Sequence, residues 1–168
     1  MVSRTHSLRA SGGFSFIELV VVIGLIGVIS AISIPWFLTY VEAEKIRGAA
    51  REVAALLNQA RQLAVTRNRS FSVDAQTAPQ NRMRFCSGAA LPCPGGTVWV
   101  DTATDANGWI QLDNNVRLVL AQAVTFSALG AATPGGRLRV QQAQGTSCLD
   151  VVVSGSGRIQ IGASPSCP

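Results

Sequence analysis

Between Phe14 and Leu38 the chain runs for 25 residues with one ionisable side chain, Glu18, and nothing else in it limits the possible folds so sharply. A membrane-spanning helix needs about 20 mostly apolar residues, so this run is long enough to cross a bilayer. Arg4, His6 and Arg9 come before it, and Glu42 and Glu44 come soon after. By the positive-inside tendency the short basic leader stays in the cytoplasm and the bulk of the chain lies outside. A cleaved secretory signal fits less well. Its apolar core spans about 7 to 15 residues and ends at a small-residue cut site, whereas here Ser30-Ala31 lies inside the run. A plain anchor leaves Glu18 unexplained. A carboxylate in a spanning helix costs about 2.5 to 3.5 kcal/mol at the membrane centre, less near the end, and usually marks a partner.

The residues leading to that acid, Gly12-Gly13-Phe14-Ser15-Phe16-Ile17-Glu18, resemble the class III leader of type IV pilins and type II secretion pseudopilins. The resemblance implies that a prepilin peptidase cuts between Gly13 and Phe14 and methylates the new N terminus. Glu18 then lies five residues into the mature chain, where the family keeps a glutamate that meets the amino terminus of a neighbouring subunit during assembly. Pro35 matches a family proline late in the apolar segment, where the missing N–H and the ring would kink or open a helix. Taken alone, Pro35 also reads as the end of the membrane helix.

Beyond the leader and the apolar run, roughly 130 residues remain, enough for one modest domain with its own core. Lys and Arg total 14 against 9 acidic residues. Without Arg4 and Arg9 the balance is 12 against 9, a mild excess and no nucleic-acid signature. From Val41 to Thr66, Ile46, Ala50, Val53, Leu57, Ala60 and Ala64 recur at alternating steps of four and three, with Arg47, Arg51, Asn58 and Arg61 off that line. This is the stripe of an amphipathic helix packed on a core. No strong breaker separates it from the apolar run, since Gly48 costs only about 1 kcal/mol, so one long helix bent near Pro35 is expected.

After Arg67 the pattern changes to short β-type runs: Ser70–Asp74, Met83–Cys86, Thr97–Asp101, Val116–Leu120, Val124–Ser127, Arg137–Gln141, Cys148–Val153 and Arg158–Ile161. Turn signals divide them at Pro94-Gly95-Gly96, Asn107-Gly108, Asn114-Asn115, Pro134-Gly135-Gly136 and Gly155-Ser156-Gly157. The expected class is therefore α+β, a long N-terminal helix packed on antiparallel sheets. Within the pilin-like family, the chain is similar to the GspH and FimT group. The similarity rests on Leu56-Leu57-Asn58-Gln59-Ala60-Arg61-Gln62-Leu63-Ala64 with Arg67-Asn68, on Val124-Thr125-Phe126 with Gly130, and on Val151-Val152-Val153-Ser154 with Gly157-Arg158-Ile159.

Cys86, Cys93, Cys148 and Cys167 all fall on the side assigned outside the cytoplasm, where thiols oxidise. Cys86 and Cys93 bracket a loop with Pro92, and Cys148 could hold the tail through Cys167; two other connectivities stay open. Cys-only zinc sites use tighter pairs, so no metal is expected. The only histidine, His6, is in the leader, which removes histidine-based nucleophile systems and metal sites from the mature chain. Asp74, Asp101, Asp105, Asp113 and Asp150 lie on or beside turns, where aspartate usually serves local hydrogen bonds. No catalytic residue, cofactor or small-molecule substrate is assigned.

Arg67 and Arg69, Arg82 and Arg84, and Arg137 and Arg139 are each spaced by two and would share a face in extended chain. Converging with Arg158 they would make a phosphate-binding patch that positions DNA without reading sequence. The plainer reading is solvated strand faces that deter edge pairing. Some FimT-type minor pilins are linked to DNA uptake through a Gly-Arg-x-Arg element. Here Gly157 and Arg158 match, but Gln160 stands where the second arginine would.

The sequence thus reads as a minor pilin or pseudopilin, with DNA binding in a competence machinery as the alternative. Its parts are a leader at 1–13, a transmembrane segment at 14–40 and a periplasmic domain at 41–168, helical over 41–66 and β-rich over 67–168. The partners implied are the inner membrane, prepilin peptidase and other pilins, and the assembled product is a pilus or a secretion pseudopilus. Signals shared by secretion, pilus and competence systems do not separate them.

Overall fold

The structure, a computed structural model, describes residues 14–94, 97–112, 116–143, 145, 147–165 and 167. Gly13, the leader basic residues, Asp113, Asn114-Asn115 and the Gly95-Gly96 pair lie outside the described residues. A division between two compact units falls between Tyr40 and Val41. Helix α1, Phe16–Thr66, runs for 51 residues without a break, so the helix continues through position 35 and does not end there. Ser15 opens it, its carbonyl accepting from Glu18 N and Leu19 N. Phe16–Ile34, 19 residues, is long and apolar enough to cross a membrane, and none of it is buried in the protein.

The other end of α1 closes on a left-handed residue. Arg69 N donates to Ala64 O and Asn68 N to Val65 O, with Asn68 at φ 49°. This is the paired-bond cap that satisfies the last helical carbonyls, and asparagine tolerates the left-handed position better than most residues.

Among the described residues eight strands follow: β1 Phe71–Gln76, β2 Arg82–Ser87, β3 Ile110–Gln111, β4 Val116–Ala121, β5 Val124–Phe126, β6 Gly136–Gln142, β7 Cys148–Val153 and β8 Ile159–Ala163. They form two four-stranded sheets, ordered β3-β2-β1-β5 and β4-β6-β7-β8. All pairings are antiparallel.

The expected strand Thr97–Asp101 is not a strand. Only Val98 bridges Cys86, with Ser87 N donating to Thr97 O and Trp99 N to Phe85 O. Asp101 and Thr104 then bend the chain away, Asp101 Oδ1 accepting from Thr102 N at 2.7 Å and Thr104 Oγ1 from Asp101 N at 2.9 Å. Ile110–Gln111, not foreseen as a strand, pairs with the other end of β2. The free edge of β2 is thus shared by two short segments.

Within residues 41–168 the core is one cluster. Ala50, Val53, Leu57, Ala60 and Ala64 of α1 are fully buried, with Ile46 at their head. Phe71, Val73, Met83, Phe85, Val124 and Phe126 come from one sheet; Leu118, Leu138, Val140, Val151 and Val153 come from the other. Burying a leucine or phenylalanine of this kind stabilises by about 1.5–3 kcal/mol. The alternation in β6 sends Leu138 and Val140 inward and leaves Arg137, Arg139 and Gln141 on the outer face.

Candidate functional site

Phe14, Glu18, Leu19, Val22 and Ile23 line one shallow groove along the start of the apolar helix. The spacing of 14, 18 and 22 puts these residues on a single face. Glu18 lies in the first turn, where the positive end of the helix dipole favours an acid by about 0.3–1 kcal/mol. That offsets only part of the cost of a carboxylate in hydrocarbon. Leu25, Ile26, Ile29 and Ile32, further along, are more than half exposed. The side chains that set the character of this segment therefore find no cover within it.

The second group of candidates is the outer face of β6 and β7. Register places Arg139 opposite Asp150 and Arg137 opposite Val152. Asp150 is buried. Arg139 grips it with two bonds, Nε to Oδ1 at 2.7 Å and Nη2 to Oδ2 at 3.2 Å, and Arg137 Nη1 stands 3.5 Å from Oδ2. The hydrogen bond from Arg139 holds the Asp150 carboxyl below the usual carboxylate range; burial opposes this, and the charges of Arg139 and Arg137 and a bond with Ser164 assist it. Both arginines thus serve one internal acid. Arg158 is exposed on the β7–β8 turn, and Gln160, with its amide oriented so that the oxygen faces the guanidinium, accepts from Arg158 Nη2 at 3.0 Å.

The other arginine pairs are also engaged. Arg84 donates to Asp74 Oδ2 through Nε at 2.8 Å, Arg82 donates to Gln76 Oε1 at 2.8 Å, and both stand over the Trp109 ring, Arg82 4.3 Å and Arg84 4.2 Å from its centre. Arg67 and Arg69 are not in extended chain, as their spacing suggested. They belong to the helix cap, and Arg67 lies 4.6 Å above the Trp99 ring.

The family described as Type II transport protein GspH matches residues 49–157, well over half of the 168 residues. The chain belongs to the GspH family. Among solved structures it is similar to the type IV minor pilin FimU of Pseudomonas aeruginosa PAO1. One crystal form gives a TM-score of 0.55 at 22% identity, covering 77% of this chain and 99% of FimU. A second gives 0.52 at 22% identity over 73% and 99%. The minor pseudopilin EpsH from the type 2 secretion system of Vibrio cholerae aligns at 11% identity over 71% of this chain and 97% of EpsH, with a TM-score of 0.49. No curated protein matches the sequence. FimU shows that this GspH-family chain has the α+β pilin fold.

The family match spans a packing knot that the sequence did not reveal. Arg61 Nε of α1 donates to Gly130 O at 2.9 Å, across 69 residues. Gly157, at φ +77°, lies so close that a Cβ there would collide with the same Gly130 carbonyl. Three residues from separate, individually loose motifs thus meet at one point. Arg61 stood off the apolar stripe and offered no sign of that contact.

Two disulfides join Cys86 to Cys93 and Cys148 to Cys167, with Cα atoms 5.4 and 5.8 Å apart. Both separations suit a bridge. Asp74 lies beside the first, its ligand-type atom and the two sulfurs within 4.8 Å of one another. A disulfide offers no thiolate to a metal, and Asp74 is taken by Arg84. Asp105 Oδ1 accepts from Asn107 N and Trp109 N, each at 2.8 Å. These described aspartates therefore hold turns and strand faces together.

Proposed function

We propose that this GspH-family chain is a minor pilin or pseudopilin subunit that acts through α1. It is made as an inner-membrane precursor with its N terminus in the cytoplasm and residues 41–168 outside. Prepilin peptidase cuts between Gly13 and Phe14, and the new N terminus is methylated. The apolar half of α1 first lies in lipid and then enters a bundle of like helices, forming a pilus or a type II secretion pseudopilus. Pro35 would ease the fit of the helix in that bundle.

One observation carries the reading: a solitary acid, Glu18, in the first turn of an apolar segment, Phe16–Ile34, whose side chains are exposed throughout. The positive N terminus of a neighbouring subunit supplies the charge that the membrane withholds. The DNA-uptake alternative gains no such support, because Asp150 takes up Arg137 and Arg139.

Replacing Glu18 separates the two steps. Glu18→Ala is expected to leave cleavage intact, read by mass spectrometry of the N terminus, and to cut incorporation into sheared filaments by about tenfold or more, the loss of a charged contact of at least 1.4 kcal/mol. Wild-type incorporation of the variant, or a native N terminus other than Phe14, would sink the proposal.

A further inference from the structure

At the end of the domain where α1 hands over to β1, Arg67, Arg69, Phe71, Ser87, Thr97 and Trp99, with Val98, line a half-open cavity of about 280 Å³. The helix cap fixes its two cations. Asn68 in the left-handed conformation turns the chain between Arg67 and Arg69, so both guanidinium groups reach the same opening. Arg67 rests on Trp99, which packs edge-on to Phe71 with ring centres 6.2 Å apart. Arg69 Nη1 donates to Ser87 Oγ at 3.3 Å.

Unlike the other arginine pairs, these two have no carboxylate. Among the described residues Arg67 and Arg69 enter no salt bridge, and no acid lines the cavity. The Trp99 Nε1 is a further unused donor, enclosed yet without a hydrogen-bond partner. A buried donor left unmet is costly, because it has given up its hydrogen bonds to water without replacing them. Two cations and a hydroxyl around one small cavity, with no acid among the residues that line it, describe a receptor for an anion.

We propose that this cavity is a docking socket for a carboxylate side chain presented by an acidic peptide segment of a partner protein. The planar guanidinium forks match a carboxylate in two-bond geometry. The cavity lies just below the roughly 300 Å³ at which small-molecule sites begin, so it takes one acidic side chain. A nucleic-acid strand would need a cationic track and open aromatic faces, whereas Trp99 is already covered by Arg67 and packed by Phe71.

The test uses the full-length protein in detergent micelles, titrated with a tetraglutamate peptide blocked at both ends. The readout is the Trp99 indole N–H resonance, assigned by its loss in Trp99→Phe. A saturable shift is expected with tetraglutamate and none with tetraglutamine. Arg67→Gln and Arg69→Gln should each weaken it about tenfold, the loss of one charged hydrogen bond, while the Trp109 resonance keeps its place and reports the fold. Should either variant disturb Trp109, raised salt on the unaltered protein decides the same question, since an ion-pair socket loses affinity as charges are screened. No shift, an equal response to tetraglutamine, salt-insensitive binding, or tighter binding of inorganic phosphate or a single-stranded oligonucleotide would overturn the proposal.

Discussion

Helix α1 carries two apolar surfaces with opposite fates. From Ile46 to Ala64 one stripe is buried, seven residues at no more than 5% exposure. From Phe16 to Ile34 the helix is apolar all round apart from Glu18, Ser30 and Ser33, and none of it is buried. The first surface has its partner in its own chain, in Phe71, Leu118 and the rest of the core. The second must find one elsewhere, in lipid or in another helix. Periodicity records this difference: a stripe finds its cover inside a domain, whereas a helix apolar all round belongs to a membrane or a bundle. Glu18, the one ionisable residue on the second surface, is where the proposed neighbouring subunit would bear.

The sharpest way to break the comparison is at Leu57, which is fully buried. Leu57→Ala removes buried methyl groups and leaves a cavity, and it should destabilise residues 41–168 by about 2–5 kcal/mol in denaturant unfolding. A smaller loss than about 1 kcal/mol would mean that the stripe is not the main seam of the domain.

Both halves of α1 were legible because each depends on spacing within a short window. The stripe positions follow from steps of three and four, and the exposed apolar run from length and lack of charge. Most strands were legible for the same reason, their alternation being local. Thr97–Asp101 misled, since a β-type composition does not tell whether a partner edge is long enough, and here β2 divides its edge with Ile110–Gln111. The arginines were the least legible. Arg139 meets Asp150 only through the β6–β7 register, and Arg61 reaches Gly130 across the fold. Spacing by two foretold a shared strand face for Arg137 and Arg139, but not that an acid on the next strand would occupy both. For Arg67 and Arg69 it foretold the wrong backbone altogether.

The Asp150 site asks whether the domain draws on charge as well as on the stripe. Its carboxyl is held below the ordinary range by Arg139. A depressed carboxylate contributes stability that is present above its unfolded value, about pH 3.9, and is lost as pH falls through the lower folded value. Asp150→Asn keeps the shape and removes the charge, so it should cost roughly 2 kcal/mol at neutral pH. The gap between variant and wild type should close as the pH falls below about 4. A gap that stays constant across the acid range would assign the loss to packing rather than to the ion pair.

The smallest effect is expected where the hydrophobic side chains are most conspicuous. Leu25 is 58% exposed in a helix segment that buries nothing in its own chain. Leu25→Ala therefore opens no cavity and removes no contact with the core, and alanine is at least as good a helix former as leucine. Denaturant unfolding of the full-length protein in micelles should change by no more than about 0.5 kcal/mol. The same chemical deletion at Leu57 is expected to cost several times more, so the pair of variants measures environment rather than residue type. A loss at Leu25 approaching that at Leu57 would show that this segment has a partner inside its own chain. The need for a neighbouring subunit would then vanish, and with it the reason for an acid at position 18.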